Sequence, residues 1–138
     1  MDIDDPVEEM TLDECWEHLE SQEFGRLAFR LVDEVHIVPM NYVADGGTLL
    51  FRTTSGNKLL SAALHSNVAF EIDWYDDASA WSVVARGRAR RLEDRELHRL
   101  DDLPGGPWTP SPKLDGIEFE PDVVTGRRFL LVRQEPKG

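Results

Sequence analysis

Eight consecutive residues, Phe51-Arg52-Thr53-Thr54-Ser55-Gly56-Asn57-Lys58, combine the donors that a terminal phosphate requires. Arg52 offers a planar fork of N–H groups. Thr53, Thr54 and Ser55 add hydroxyls and backbone amides, and Lys58 adds a point charge. A strand that ends in this turn and opens a helix would also aim a helix N-terminus at the anion. The turn lacks the glycine spacing and the Gly-Lys-Ser/Thr ending of a Walker loop. Read without other support, the same residues make a strand, a polar turn and a helix capped by Ser55 or Asn57.

Two further stretches bear on the same chemistry. Along Trp81–Arg91, Trp81, Val83, Ala85, Gly87 and Ala89 alternate with Ser82, Val84, Arg86, Arg88 and Arg90. One face of this strand is apolar and small, and the other carries a row of arginines, as on the solvated side of a half-buried sheet. Gly87 inside such a strand marks a bulge or a close backbone approach. In Val38-Pro39-Met40-Asn41-Tyr42, the proline removes a backbone donor and points to an edge strand or a bulge. Backbone left exposed there could meet a planar ring, with Asn41 supplying amide groups.

The elements that must position these residues follow from periodicity. Thr11 and Glu14 have capping-box spacing, and Leu12, Cys15, Trp16 and Leu19 form one helical stripe that Gly25 would end. Strands are expected over Arg26–Val32, Val35–Val43, Thr48–Thr54, Val68–Trp74 and Trp81–Arg91. Asp45-Gly46-Gly47 forms a hairpin turn, and Asp33-Glu34 separates the first two strands. Asn57–His65 reads as a short helix and Leu92–Leu103 as a charged surface helix. Pro104–Asp115 reads as a Pro/Gly-rich loop able to cover something, and Gly116–Glu120 and Phe129–Arg133 as two last strands. Residues 1–10 form an acidic leader, and 11–138 a single domain: a small antiparallel barrel with a few short helices.

Composition narrows the function classes. The 138 residues carry 27 acidic against 15 basic side chains, a net charge of −12, which disfavours nucleic acid and anionic membrane surfaces. Ten of those acids lie in residues 1–23, which hold no Lys or Arg; the remaining 17 face 15 bases, so the barrel is nearly neutral. One phosphate in a groove is compatible with that balance. The single cysteine, Cys15, fits a reducing cytoplasm and a core position, and no apolar run reaches the ~20 residues of a membrane helix. His18, His36, His65 and His98 make no metal-binding spacing, so no metal is expected. No catalytic acid or base stands out.

Taken in order, Phe24-Gly25-Arg26-Leu27-Ala28, Val38-Pro39-Met40-Asn41-Tyr42, Phe51-Arg52-Thr53 with Lys58, Phe70-Glu71-Ile72-Asp73, and Trp81-Ser82-Val83 with Gly87-Arg88-Ala89 form a recognisable series. It resembles the pyridoxamine 5'-phosphate oxidase-like family of FMN-binding split barrels, and within it the bacterial branch of nitroimidazole-resistance-type proteins. Val124-Thr125-Gly126-Arg127-Arg128-Phe129 matches that branch's tail, so the likeness spans nearly all of the chain after Thr11.

The resemblance implies a mainly β fold, a six-stranded antiparallel, Greek-key-like split barrel with flanking short helices. It implies a homodimer with FMN in grooves between subunits. Arg52, Thr53 and Lys58 would hold the phosphate, with Thr54, Ser55 and Asn57 lining the same turn. Val38, Pro39, Met40 and Asn41 would lie along the isoalloxazine through backbone groups, and Ser82 would place a short polar side chain on the flavin. The C-terminal Trp and Arg that pyridoxamine phosphate oxidases use for substrate have no clear match, so vitamin B6 oxidation is not implied. The expectation is an FMN-dependent oxidoreductase of an unknown small substrate. The alternatives are a flavin-binding module without turnover, for storage or sensing, a deazaflavin or haem in the same groove, and a structural protein with no ligand.

Overall fold

A computed structural model describes residues 7–54, 61, 64, 66–103 and 114–131 of the chain. Thr11 caps the first helix, α1 (Leu12–Ser21): its hydroxyl accepts the Glu14 N–H while the Glu14 carboxylate accepts the Thr11 N–H. Of the stripe read from the sequence, Cys15 and Leu19 are wholly enclosed and Trp16 packs half-buried against the core, whereas Leu12 at the helix start is exposed. The helix ends at Ser21, before Gly25. That glycine lies in a strand instead, where an added Cβ would come within 2.5 Å of the Phe70 ring and 2.6 Å of the Glu71 carbonyl oxygen.

All strand pairs are antiparallel. They are β1 (Val7–Glu9), β2 (Phe24–Leu31), β3 (Glu34–Asn41), β4 (Val43–Asp45), β5 (Thr48–Thr54), β6 (Val68–Tyr75), β7 (Ser79–Arg91) and β8 (Leu114–Leu130). The hydrogen-bonded order is β3-β2-β6-β7-β8-β5-β4, with β1 pairing β8. The sheet curls until β3 packs against β5 without a ladder between them, which leaves an open seam in a half-barrel.

Among the described residues, eight strands therefore stand where six were expected. The two additions, β1 and β4, have three residues each, too short for an alternation pattern to show. Val7–Glu9 of the acidic leader pairs with Arg127–Phe129. The two closing strands are one, β8, which runs on through Pro121 because a bulge absorbs it: Arg86 faces Val123 and Gly87 faces Pro121. Gly87 is required there, since a Cβ would lie 2.1 Å from the Glu120 carbonyl oxygen. The Gly46-Gly47 hairpin turn has φ of +58° and +89°, as a two-residue primed turn demands. The β2–β3 turn falls on Val32-Asp33, one residue earlier than expected.

The main core lies inside the curl, built from Leu27, Phe29, Phe51, Phe70, Val83 and Phe119 and closed by α1. Tyr42 is buried within it, donates its hydroxyl to the Leu19 carbonyl at 2.7 Å, and is pushed up in pKa by burial. Leu92–Leu103 is more than a surface helix. Its helical part is a 3₁₀ turn, Asp94–Leu100, and Leu92, Leu100 and Leu103 form a second core with Leu50 on the other side of β5. Gly116 leaves room for that packing, since a Cβ would sit 2.7 Å from Leu100 Cδ1. Most of the expected Asn57–His65 helix, all but Ser61 and Leu64, and most of the Pro104–Asp115 loop lie outside the described residues.

Candidate functional site

The seam between β3 and β5 brings together the two stretches singled out for ligand binding. Among the described residues β3 is an edge strand with β2 as its only ladder partner, so alternate backbone groups of Val38, Pro39, Met40 and Asn41 point away from the sheet. Pro39 at that edge costs no ladder hydrogen bond on the open side. Val38 and Met40 turn inward against the core, while Pro39 and Asn41 are exposed on the outer face.

Across the seam, β5 ends in Arg52, Thr53 and Thr54. Strand alternation puts Arg52 on the side of the 3₁₀ turn and Thr53 on the barrel side. Arg52 donates from Nη2 to the Leu100 carbonyl at 3.0 Å, which ties one end of the guanidinium to the 3₁₀ turn. Thr54 is placed as the last residue of β5, paired with Leu114. Ser55, Asn57 and Lys58 lie outside the described residues.

Ser82 is elsewhere. It sits half-buried on β7, between Asp73 of β6 and Arg127 of β8, and three strand spacings, about 14 Å along the sheet, separate it from β3. Within one chain it does not share the β3–β5 seam.

Around Ser82 the outer face carries a polar cluster of Arg26, Glu71 and Asp73, to which no role was assigned from the sequence. Arg26 of β2 donates from Nη2 to Glu71 Oε1 and to Asp73 Oδ2, both at 2.5 Å. Burial and the hydrogen bond to Asp73 raise the pKa of Glu71. Burial also opposes ionisation of Asp73, but the hydrogen bonds it receives from Glu71 and Arg26 outweigh this and lower its pKa. Of the two acids, Glu71 keeps a proton to higher pH. The available signal was the i, i+2 spacing of Glu71 and Asp73, which puts two carboxylates on one side of a strand.

The arginine row of β7 is exposed, and Arg90 is taken up by Glu96 and Glu118 at 2.8 and 2.9 Å. His18 stacks on Trp81 with ring centroids 3.9 Å apart, and burial lowers its pKa. Among the described residues no three His, Cys, Asp or Glu side chains converge as a metal site would require.

Comparison with known proteins decides the family. The pyridoxamine 5'-phosphate oxidase model matches residues 11–128. The chain belongs to the pyridoxamine 5'-phosphate oxidase-like family of split barrels. A crystal structure of a Corynebacterium glutamicum protein, provisionally named pyridoxamine 5'-phosphate oxidase, is 38% identical with a TM-score of 0.80, covering 97% of this chain and 99% of that one. The FAD binding protein of Mycobacterium smegmatis is 37% identical with a TM-score of 0.80, covering 91% of this chain and 100% of that one. An uncharacterised Mycobacterium tuberculosis protein is 30% identical, covering 94% of this chain and 90% of that one. The fold also extends to a 5-nitroimidazole resistance-type protein of Bacteroides thetaiotaomicron, 15% identical with a TM-score of 0.77, covering 91% of this chain and 90% of that one. The split barrel is thus established here, with the strand additions described above.

Proposed function

We propose that this family member is a homodimeric FMN-dependent oxidoreductase of the reducing cytoplasm, acting on a small molecule. The observation that carries the reading is the seam, where an unpaired strand edge with an exposed proline faces the arginine-bearing end of β5. The donor set fits a flavin nucleotide. Backbone groups of Val38–Asn41 suit a planar heterocycle with alternating donors and acceptors, and the Arg52 fork suits a phosphate. Thr53, Thr54, Ser55, Asn57 and Lys58 would complete the phosphate turn. Bound flavin would supply the hydride chemistry, and the chain supplies position and access.

Ser82 and its neighbours give the reason for a dimer. Since Ser82 lies about three strand spacings from β3 in its own chain, its contact with a flavin in the seam would come from a second copy. The outer face it shares is suited to burial. By alternation, Val7, Phe24, Val35, Ile37, Tyr75 and Val123, all exposed, lie on that face.

A second reading, FAD in the same groove, is favoured by the 37%-identical FAD binding protein. A flavin-binding module without turnover keeps the same site. Spectra separate these readings. Purified protein should be yellow or should take up added flavin, and extraction identifies FMN or FAD. Arg52→Ala should weaken flavin binding about tenfold or more, the loss of one charge-assisted hydrogen bond. Equal affinities in parent and variant would sink the phosphate assignment. Reduction by NADH or NADPH with turnover of an added acceptor distinguishes the enzyme from the binding module.

A further inference from the structure

The arginines of this acidic chain mostly find carboxylates. Arg26, Arg90, Arg91, Arg95, Arg99 and Arg128 each have one within 3.8 Å. Among the described residues Arg88 departs from that habit, as Arg86 and Arg127 do. It is exposed on the outer side of β7, and among the described residues no carboxylate lies within ion-pair distance of it. Instead it lines a pocket of about 410 Å³ together with Leu64, Ser66 and Asn67.

The strand register explains how these groups meet. Val68 pairs with Gly87, so Asn67 comes opposite Arg88 as β6 begins. Arg86 lies two residues away on the same side of β7. Phe29 pairs with Val68, which brings Arg30 beside Asn67 at the end of β2. Arg30 is partly satisfied, donating from Nε to the Val32 carbonyl and lying 3.8 Å from Asp33. Glu120, opposite Arg88 on β8, is the nearest acid by register. The result is a basic rim on the outer face, with a concavity in it.

We infer that this pocket binds the phosphoryl group of a small molecule, with Arg88 as its charged anchor. A phosphate has several acceptor oxygens in a tetrahedral array. The Arg88 fork, the Asn67 amide and the Ser66 hydroxyl are three chemically different donor groups around one space. The volume exceeds what a bare ion needs and falls within the range of small-molecule sites, ~300–1,000 Å³. Leu64 gives it an apolar wall. The inference does not rest on the flavin reading. The phosphoryl group could belong to a separate ligand or to the pyrophosphate of a dinucleotide flavin.

Inorganic pyrophosphate is the probe, titrated into the full-length protein by calorimetry with ³¹P NMR as a second readout. Saturable binding is expected, weakened at least tenfold in Arg88→Gln and in Asn67→Asp, and unchanged in Arg95→Gln on the 3₁₀ turn. Circular dichroism melts confirm that the variants are folded. Absence of saturable binding, or equal affinity in parent and both variants, overturns the inference. FMN and FAD titrations of the same variants identify the source. Weakened FAD with unchanged FMN binding assigns the pocket to the dinucleotide's pyrophosphate. Unchanged affinity for both flavins, with pyrophosphate binding lost, assigns it to a separate phosphorylated ligand. Both of these results support the phosphoryl pocket, and both are independent of what Arg52→Ala does.

Discussion

Gly87 shows what a single side chain can forbid. Its absent Cβ leaves space for the Glu120 carbonyl, and the atoms crowding that space are backbone on both strands, Glu120 O at 2.1 Å and Pro121 Cα at 2.8 Å. Neither can rotate away as a side-chain tip would. Gly87→Ala is therefore expected to cost about 1–3 kcal/mol, the range for overpacking a close-packed site. Denaturant unfolding should show a lower midpoint with an unchanged slope. An unchanged midpoint would mean that the β7–β8 bulge is not needed for the native ladder. Gly87 was legible in the sequence because it interrupts an otherwise regular alternation. Gly25 was not. Five residues beyond Glu20 it looks like a helix stop, and only the register of β2 against β6 shows that it makes room for Phe70. For the same reason, Arg52 could be named as a phosphate donor from its neighbours in sequence. Its bond to the Leu100 carbonyl could not be foreseen, since 48 residues separate the two.

Between elements, charge does the work that the small second core cannot. The 3₁₀ turn is held to the sheet by a chain of ion pairs: Arg90 to Glu96 and Glu118, and Arg99 to Asp45, Glu96 and Glu118. Glu118 is nearly buried where this chain crosses β8. Hydrogen bonds from the Arg90 side chain and the Glu93 backbone pull the Glu96 pKa down to about 2 from 4.5. For Glu118, burial opposes ionisation, and bonds from Arg99 and Arg90 outweigh it and lower its pKa. A carboxylate with a depressed folded pKa contributes stability above its unfolded value and loses it as the pH falls through its folded value. The contribution should be complete above pH 4.5 and fade towards pH 2. Arg90→Gln should lower the melting temperature at neutral pH and also reduce its drop across that window. A variant that melts lower but keeps the full acid-dependent drop would show that other carboxylates carry it. The element itself was only half legible. Its charged residues dominate the composition, so Leu92–Leu103 looked solvated, while Leu92, Leu100 and Leu103 face Leu50 through a contact that no local pattern encodes. Where local signals suffice, as with the Thr11–Glu14 capping box and the Gly46-Gly47 turn, sequence and structure agree.

At the scale of the molecule, the two faces of the curled sheet have different fates. The inner face is filled by α1 and the core, whereas no element of the described chain covers the outer face across β3, β2 and β6. Val35 and Ile37 of β3 are 73% and 66% exposed there, and Ala28 and Ala69 continue the apolar strip across the ladder from Ile37. Apart from Arg30 at the far end of β2, charge on it is confined to the Arg26–Glu71–Asp73 cluster, which is already internally neutralised except for one carboxylate. A second copy applied to this face would bury apolar surface and, in the same act, carry its Ser82 towards the first copy's seam. Dimerisation and flavin binding should then fail together. Ile37→Glu puts a charge in the strip without touching the core, since the side chain points outward, so the monomer should still fold. Sedimentation should show the parent as a dimer and the variant as a monomer, with flavin affinity reduced at least tenfold. A monomeric variant that keeps parental flavin affinity would place the whole flavin site within one chain and leave Ser82 outside it. A variant that remains dimeric would move the interface to another face of the barrel.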